Sequence, residues 1–159
     1  MTTREYKDHP GVYVPPPLFY LAFFYFSLIL EHEIPLGTTF LRKYTTHVFG
    51  WALCLIGVGI GLMTLLQFIK SRNTIVTIKS ANSLQTTGVY AYSRNPLYVS
   101  LFFIYLGAIV FWGNWWTLII APFLLLIMKL YVVRKEEAYL RRKFGKAYKI
   151  YKKSVRRWF

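Results

Sequence analysis

The stretch from Pro96 to Val133 holds two long apolar runs, "PLYVSLFFIYLGAIVFW" and "WWTLIIAPFLLLIMKLYVV", with only Gly113-Asn114 between them. Each approaches the roughly 20 residues that a helix needs to cross a bilayer core. Two residues connect two such segments only as a tight antiparallel hairpin, so a pair of neighbouring membrane helices is expected. Trp112, Trp115 and Trp116 then gather at its turn, as in an interfacial aromatic belt. Two further runs qualify: Pro15 to Leu30, short unless the preceding "GVYV" contributes, and Val48 to Ile69. The expected fold is an all-α integral membrane protein with four transmembrane helices over 15–30, 48–69, 96–112 and 115–133. A cytoplasmic helix over 134–157 follows, and the whole chain, 1–159, forms a single domain.

Charge supplies the orientation. Lysine and arginine total 20 against 6 acids, a formal +14. The N-terminal tail holds Arg4 and Lys7. The connection after the second run holds Lys70, Arg72, Lys79 and Arg94, and eleven more cations follow Val133. Opposite these seventeen stand only Arg42 and Lys43, while Lys129 lies near the end of the fourth run and can snorkel. The positive-inside bias therefore places both termini in the cytoplasm. Basicity of this kind does not indicate nucleic acid, because no compact polar domain is left to carry a nucleic-acid face.

Other features are structural on this reading. Cys54, the lone cysteine, sits in an apolar run as a small buried hydrophobe and allows no intramolecular disulfide. His9, His32 and His47 are scattered without ligand spacing, so no metal site is expected. The opening "MTTREYKDHPGVYVPPP" lacks the apolar core and cleavage site of a signal peptide. Gly57, Gly59 and Gly61 read as a surface for close helix packing, and Pro122 as a kink in the fourth helix.

Beyond Val133, Leu140, Phe144, Tyr148, Tyr151 and Val155 recur at helical steps among many lysines and arginines. An amphipathic basic helix is expected, lying on an anionic membrane surface and broken or kinked at Gly145. Glu136 and Glu137 stand at its start. Glu137 is placed to pair with Arg141 four residues on, whereas Glu136 points about 100° away around the helix.

The segment "TTGVYAYSRNPLY", Thr86 to Tyr98, shares the cytoplasmic side with those acids, and the hairpin makes the two segments neighbours. Gly88 permits close backbone approach, and Asn95-Pro96 sets a turn into a helix N-terminus with unpaired N–H donors. Tyr90, Tyr92 and Tyr98 offer aromatic faces beside the glutamates. One reading is a pocket for a ligand that combines a flat aromatic part with a cation. The other is an aromatic belt and a helix start.

The ordered motifs "PPPLFYL", "TTGVYAYSRNPLYVS" and "RKEEAYLRRKFGKAYKIYKKSVRRWF" resemble the isoprenylcysteine carboxyl methyltransferase and phospholipid methyltransferase superfamily, most nearly its small prokaryotic members. The resemblance implies S-adenosylmethionine-dependent methyl transfer to a lipophilic acceptor, an isoprenylcysteine-like carboxylate or a lipid amine, at the cytoplasmic face. It implies cofactor contacts from Gly88, Val89, Tyr90, Arg94, Asn95, Pro96, Tyr98, Glu136 and Glu137. Glu136 and Arg134 are the catalytic candidates. Asn95 stands where many members have histidine, and Val132 stands near a position where eukaryotic carboxyl methyltransferases carry an arginine. The competing expectations are an NADPH-dependent membrane reductase of the sterol reductase type and a non-enzymatic scaffold that binds membrane lipids.

Overall fold

The computed structural model describes residues 9–71 and 81–158, and within them all regular structure is helical. Five α-helices follow one another: α1 Pro16–Glu33, α2 Tyr44–Lys70, α3 Pro96–Trp112, α4 Trp115–Ile127 and α5 Arg134–Ser154. A 3₁₀ turn, Gly88–Ala91, precedes α3, and a π-helical stretch, Met128–Val133, joins α4 to α5. Arg4, Lys7, Arg72 and Lys79, four of the cations counted above, lie outside the described residues.

The apolar runs become helices with shifted ends. α1 continues past Leu30 to Glu33, and α2 begins at Tyr44 rather than Val48. By length and composition, α2 and the continuous helix Trp115–Ser154 are able to cross a membrane, and α3 is apolar but shorter. α1 falls outside that group because its last turn carries Glu31, His32 and Glu33. Helix α4 runs through Pro122, and the departure from α geometry comes later, at Met128. A widened turn there changes the rotation of everything beyond it, including Glu136 and Glu137.

The Gly113-Asn114 turn works as its composition requires. Gly113 adopts φ 59°, the left-handed conformation that ends a helix, and the Asn114 side chain accepts the Trp116 N–H at 2.9 Å to start the next. The hairpin helices touch, yet each packs more broadly elsewhere, α3 on α2 and α4 on α1. Small residues explain the first pairing. A methyl group on Gly107 would meet the Gly50 carbonyl at 2.9 Å, and one on Gly57 would meet the Ser100 carbonyl at 2.8 Å. Ser100 Oγ also donates to the Gly57 carbonyl at 2.7 Å, which ties an α3 side chain to the α2 backbone. Gly59 has open space around it and takes no part. The α1–α4 contact is fastened by buried polar groups: Ser27 Oγ lies 2.9 Å from Thr117 Oγ1, and Asn114 Nδ2 donates to Ser27 Oγ at 3.1 Å.

Below these contacts, Val12, Tyr20, Tyr98, Leu124, Met128, Val132 and Val133 form one apolar core. A second core, made of Tyr90, Tyr148, Tyr151 and Val155, joins the 3₁₀ turn to α5. The apolar stripe of α5 therefore covers the Gly88–Ala91 turn, where a face against the membrane surface was expected. Gly145, at φ 50° and ψ −116°, breaks the helix midway so that its second half reaches that turn. The helix ends at Ser154, short of residue 157, and Val155 continues as extended chain.

Candidate functional site

Three segments meet at one end of the bundle: the approach to α3, the start of α5, and the tail after Ser154. Pro96 begins α3 at a position where its missing N–H costs nothing. Asn95 precedes it without capping the helix, and its Nδ2 instead donates to the Arg157 carbonyl at 2.9 Å. Ser93 Oγ reaches the same carbonyl at 3.3 Å, and the Arg94 N–H donates to the Arg156 carbonyl at 3.1 Å.

The two glutamates divide here. Glu137 accepts a forked pair of bonds from Arg157, Nε at 2.8 Å and Nη2 at 2.9 Å, and Arg94 Nη1 lies 2.9 Å from it. Lys152 Nζ stands farther off, at 3.6 Å. The side chains of Arg94 and Glu137 are only 8% and 11% exposed. Burial works to raise the Glu137 carboxyl, but the Arg157 hydrogen bond and the charges of Arg94, Arg157 and Lys152 outweigh it and hold it below the ordinary carboxylate range. The pairing with Arg141 expected from spacing is replaced by these partners.

Glu136 has different surroundings. Its Oε1 accepts from Tyr98 Oη at 2.5 Å, and among the described residues no cation lies within ion-pair distance of it. Burial pushes its carboxyl up to about 7; the Tyr98 hydrogen bond opposes this and the Glu137 charge adds to it. Tyr98 is itself fixed from α1, because Tyr20 Oη donates to its carbonyl at 3.0 Å.

The 3₁₀ turn completes the group. Gly88 has φ +58°, and a methyl group there would meet Gln67 Oε1 at 2.7 Å. Gln67, on the last turn of α2, donates to the Thr87 carbonyl at 2.8 Å and so holds the turn. Tyr151 Oη donates to the Tyr90 carbonyl at 2.7 Å. Burial raises the Tyr90 hydroxyl pKa well beyond the ordinary phenol value, with smaller contributions from Glu136 and Tyr151.

Gly88, Val89, Tyr90, Arg94, Asn95, Pro96, Tyr98, Glu136 and Glu137 thus come to one region. The Arg134 backbone N–H donates to the Lys129 carbonyl, but its exposed side chain makes no hydrogen bond or ion pair among the described residues, so it is not brought to the Tyr98–Glu136 pair. Tyr92 is 80% exposed and also stands apart. Sequence reasoning missed Ser93, Gln67 and Arg157, and it named Tyr148 only for the α5 stripe, whereas its hydroxyl also accepts from Arg94 Nη1 at 3.3 Å. Gln67 left a faint signal as an amide near the end of an apolar run. Arg157 left none, being one of eleven cations in a basic tail.

S-adenosylmethionine bears a sulfonium and an ammonium, together with oxygen and nitrogen acceptors, and two features suit such a molecule. Among the described residues, Glu136 is an acid without a cation within ion-pair distance, and Arg94 Nε is a buried donor with no hydrogen-bond partner.

The profile of the phospholipid methyltransferase family matches residues 45–147. That span covers well over half of the 159 residues, and the chain belongs to this family. It is similar to a Protein-S-isoprenylcysteine O-methyltransferase of Schizosaccharomyces pombe, with 36% identity over 116 residues. The match takes in 70% of this chain and 48% of the yeast protein, so the chain spans about half the length of that relative. No solved structure matches the chain significantly.

Proposed function

We propose that the chain binds S-adenosylmethionine and transfers its methyl group to a lipophilic acceptor at the cytoplasmic face of a membrane. Family membership supports methyl transfer. The observation that carries the choice of cofactor is Glu136, desolvated, held by Tyr98 and unpaired with any cation among the described residues. The cofactor supplies an activated methyl group, so the protein has no covalent intermediate to form. Glu136 holds negative charge opposite the cationic part of the cofactor, and Arg94 Nε offers a donor to its acceptor atoms. Gly88, Val89 and Tyr90 line the approach, and Asn95, Pro96 and Glu137 hold the frame. Tyr98 fixes the orientation of Glu136.

The acceptor is a prenylated carboxylate or a lipid amine. A carboxylate needs no base. An amine must lose a proton, and a carboxyl that titrates at about 7 is well matched to take it near neutrality.

Four spans with both termini cytoplasmic remain the arrangement we favour. Apolar side chains of α1 and α2 such as Leu21, Tyr25, Leu55 and Met63 are well exposed, as lipid-facing positions require. An acceptor with a hydrocarbon tail then enters sideways from the bilayer. Equal activity on short-chain soluble analogues and on lipidated ones would remove that route. The decisive test is calorimetric titration of purified protein in nanodiscs with S-adenosylmethionine and NADPH in parallel. Binding of the methyl donor alone, weakened in Glu136→Gln, is expected. Binding of NADPH, or of neither, overturns the proposal.

A further inference from the structure

We propose that Arg157 is a positioning residue of the cofactor site, setting Glu136 against Tyr98 through the neighbouring Glu137. The inference rests on the methyl-transfer reading above.

Helix α5 needs a fixed rotation at its start if Glu136 is to face α3. Neighbouring residues on a helix are about 100° apart, so any turn of the helix that moves Glu137 carries Glu136 through the same angle. Arg157 grips Glu137 at two points, 2.8 and 2.9 Å, with the planar fork of its guanidinium. Such a pair fixes direction as well as distance.

The other end of Arg157 is anchored equally well. Its carbonyl receives Asn95 Nδ2 at 2.9 Å and Ser93 Oγ at 3.3 Å, while the Arg156 carbonyl receives the Arg94 N–H at 3.1 Å. Trp158 packs against the core that contains Tyr98. The path is therefore closed: α3 approach, tail backbone, Arg157 side chain, Glu137, α5. Asn95 contributes as the link to the tail, a different task from contact with the adenosine.

This assignment differs from a general stabilising role in what it requires of ligand choice. Glu136 discriminates between S-adenosylmethionine, which is cationic at sulfur, and S-adenosylhomocysteine, which is neutral there. A lesion that merely loosens the fold weakens both to a similar degree. Displacing Glu136 removes the preference for the cation.

The experiment measures both affinities by calorimetry in nanodiscs for the wild type, R157A, R157K, E136Q and the exposed-site control R142A, with thermal unfolding in parallel. R157A is expected to lower the ratio of the two affinities by about tenfold, toward that of E136Q. R157K, which keeps the charge without the fork, should recover only part of it, and R142A should match the wild type. R157Q takes the place of R157A if the alanine variant does not yield folded protein. A wild-type protein that binds both ligands, with R157A and R157Q keeping its ratio, overturns the positioning role. Full recovery in R157K overturns the fork. A wild type that binds neither ligand instead sinks the methyl-transfer reading, a separate result.

Discussion

At the scale of single residues, the two adjacent glutamates show how much sequence spacing leaves open. Both were legible as unusual acids among cations, but their separation, among the described residues, into one carboxylate with cationic partners and one held by Tyr98 depends on Arg94 and Arg157, which spacing alone does not bring to them. Glu137→Gln leaves two guanidinium groups short of their counter-charge. Its expected cost is about 3 kcal/mol, read as a lowered unfolding temperature. Glu136→Gln should leave the fold largely intact and weaken S-adenosylmethionine binding. The Glu136 carboxyl titrates near 4.5 when unfolded and at about 7 in the folded protein. Between these values the folded state holds a proton that the unfolded state has lost. The contribution of Glu136 to stability is therefore full below pH 4.5 and declines as pH rises through about 7. Cofactor affinity runs the other way: it should be greatest above about 7, where Glu136 is ionised, and fall on acidification. Titration calorimetry across this range checks both the sign and the midpoint, and E136Q should remove the dependence.

At the scale of elements, apolar length and the two-residue connection made four of the helices readable. What they did not convey was partner choice. The α3–α4 hairpin implied that those two helices are neighbours, as they are, but it was silent on the broader contacts that glycines and hydroxyls give α3 with α2 and α4 with α1. Gly107 carries no motif in the sequence, yet its methyl derivative would press on the Gly50 backbone at 2.9 Å and on the Cys54 side chain. Gly107→Ala is expected to cost about 2 kcal/mol, observed as earlier thermal unfolding in nanodiscs, with Cys54→Ala giving only partial relief because the backbone contact remains. Gly88→Ala combines a left-handed φ of +58° with a clash at Gln67. It should cost about 1–2 kcal/mol and weaken cofactor binding, and shortening Gln67 should not restore the lost backbone conformation. The helical period of α5 was also plain, while the destination of its stripe was not. An amphipathic helix looks the same in sequence whether its apolar face meets lipid or a neighbouring tyrosine.

At the scale of the whole molecule, the charge count gives a sidedness that labelling tests directly. In a Cys54→Ala background, a cysteine at Thr39 and one at Lys146 should react with an impermeant maleimide from opposite sides of sealed vesicles. Labelling of both from one side would refute the four-span arrangement. The candidate site draws on α1, α2, α3, α5, the 3₁₀ turn and the tail, so local sequence showed its parts without showing how they join. The last joint has a consequence in time. Residues 156–158 leave the ribosome after every described helix has been made, yet they tie the α3 approach to α5. A nascent chain can thus have its helices inserted while the candidate site is still unassembled, and premature release before Arg156 would leave a membrane-embedded product that lacks this joint.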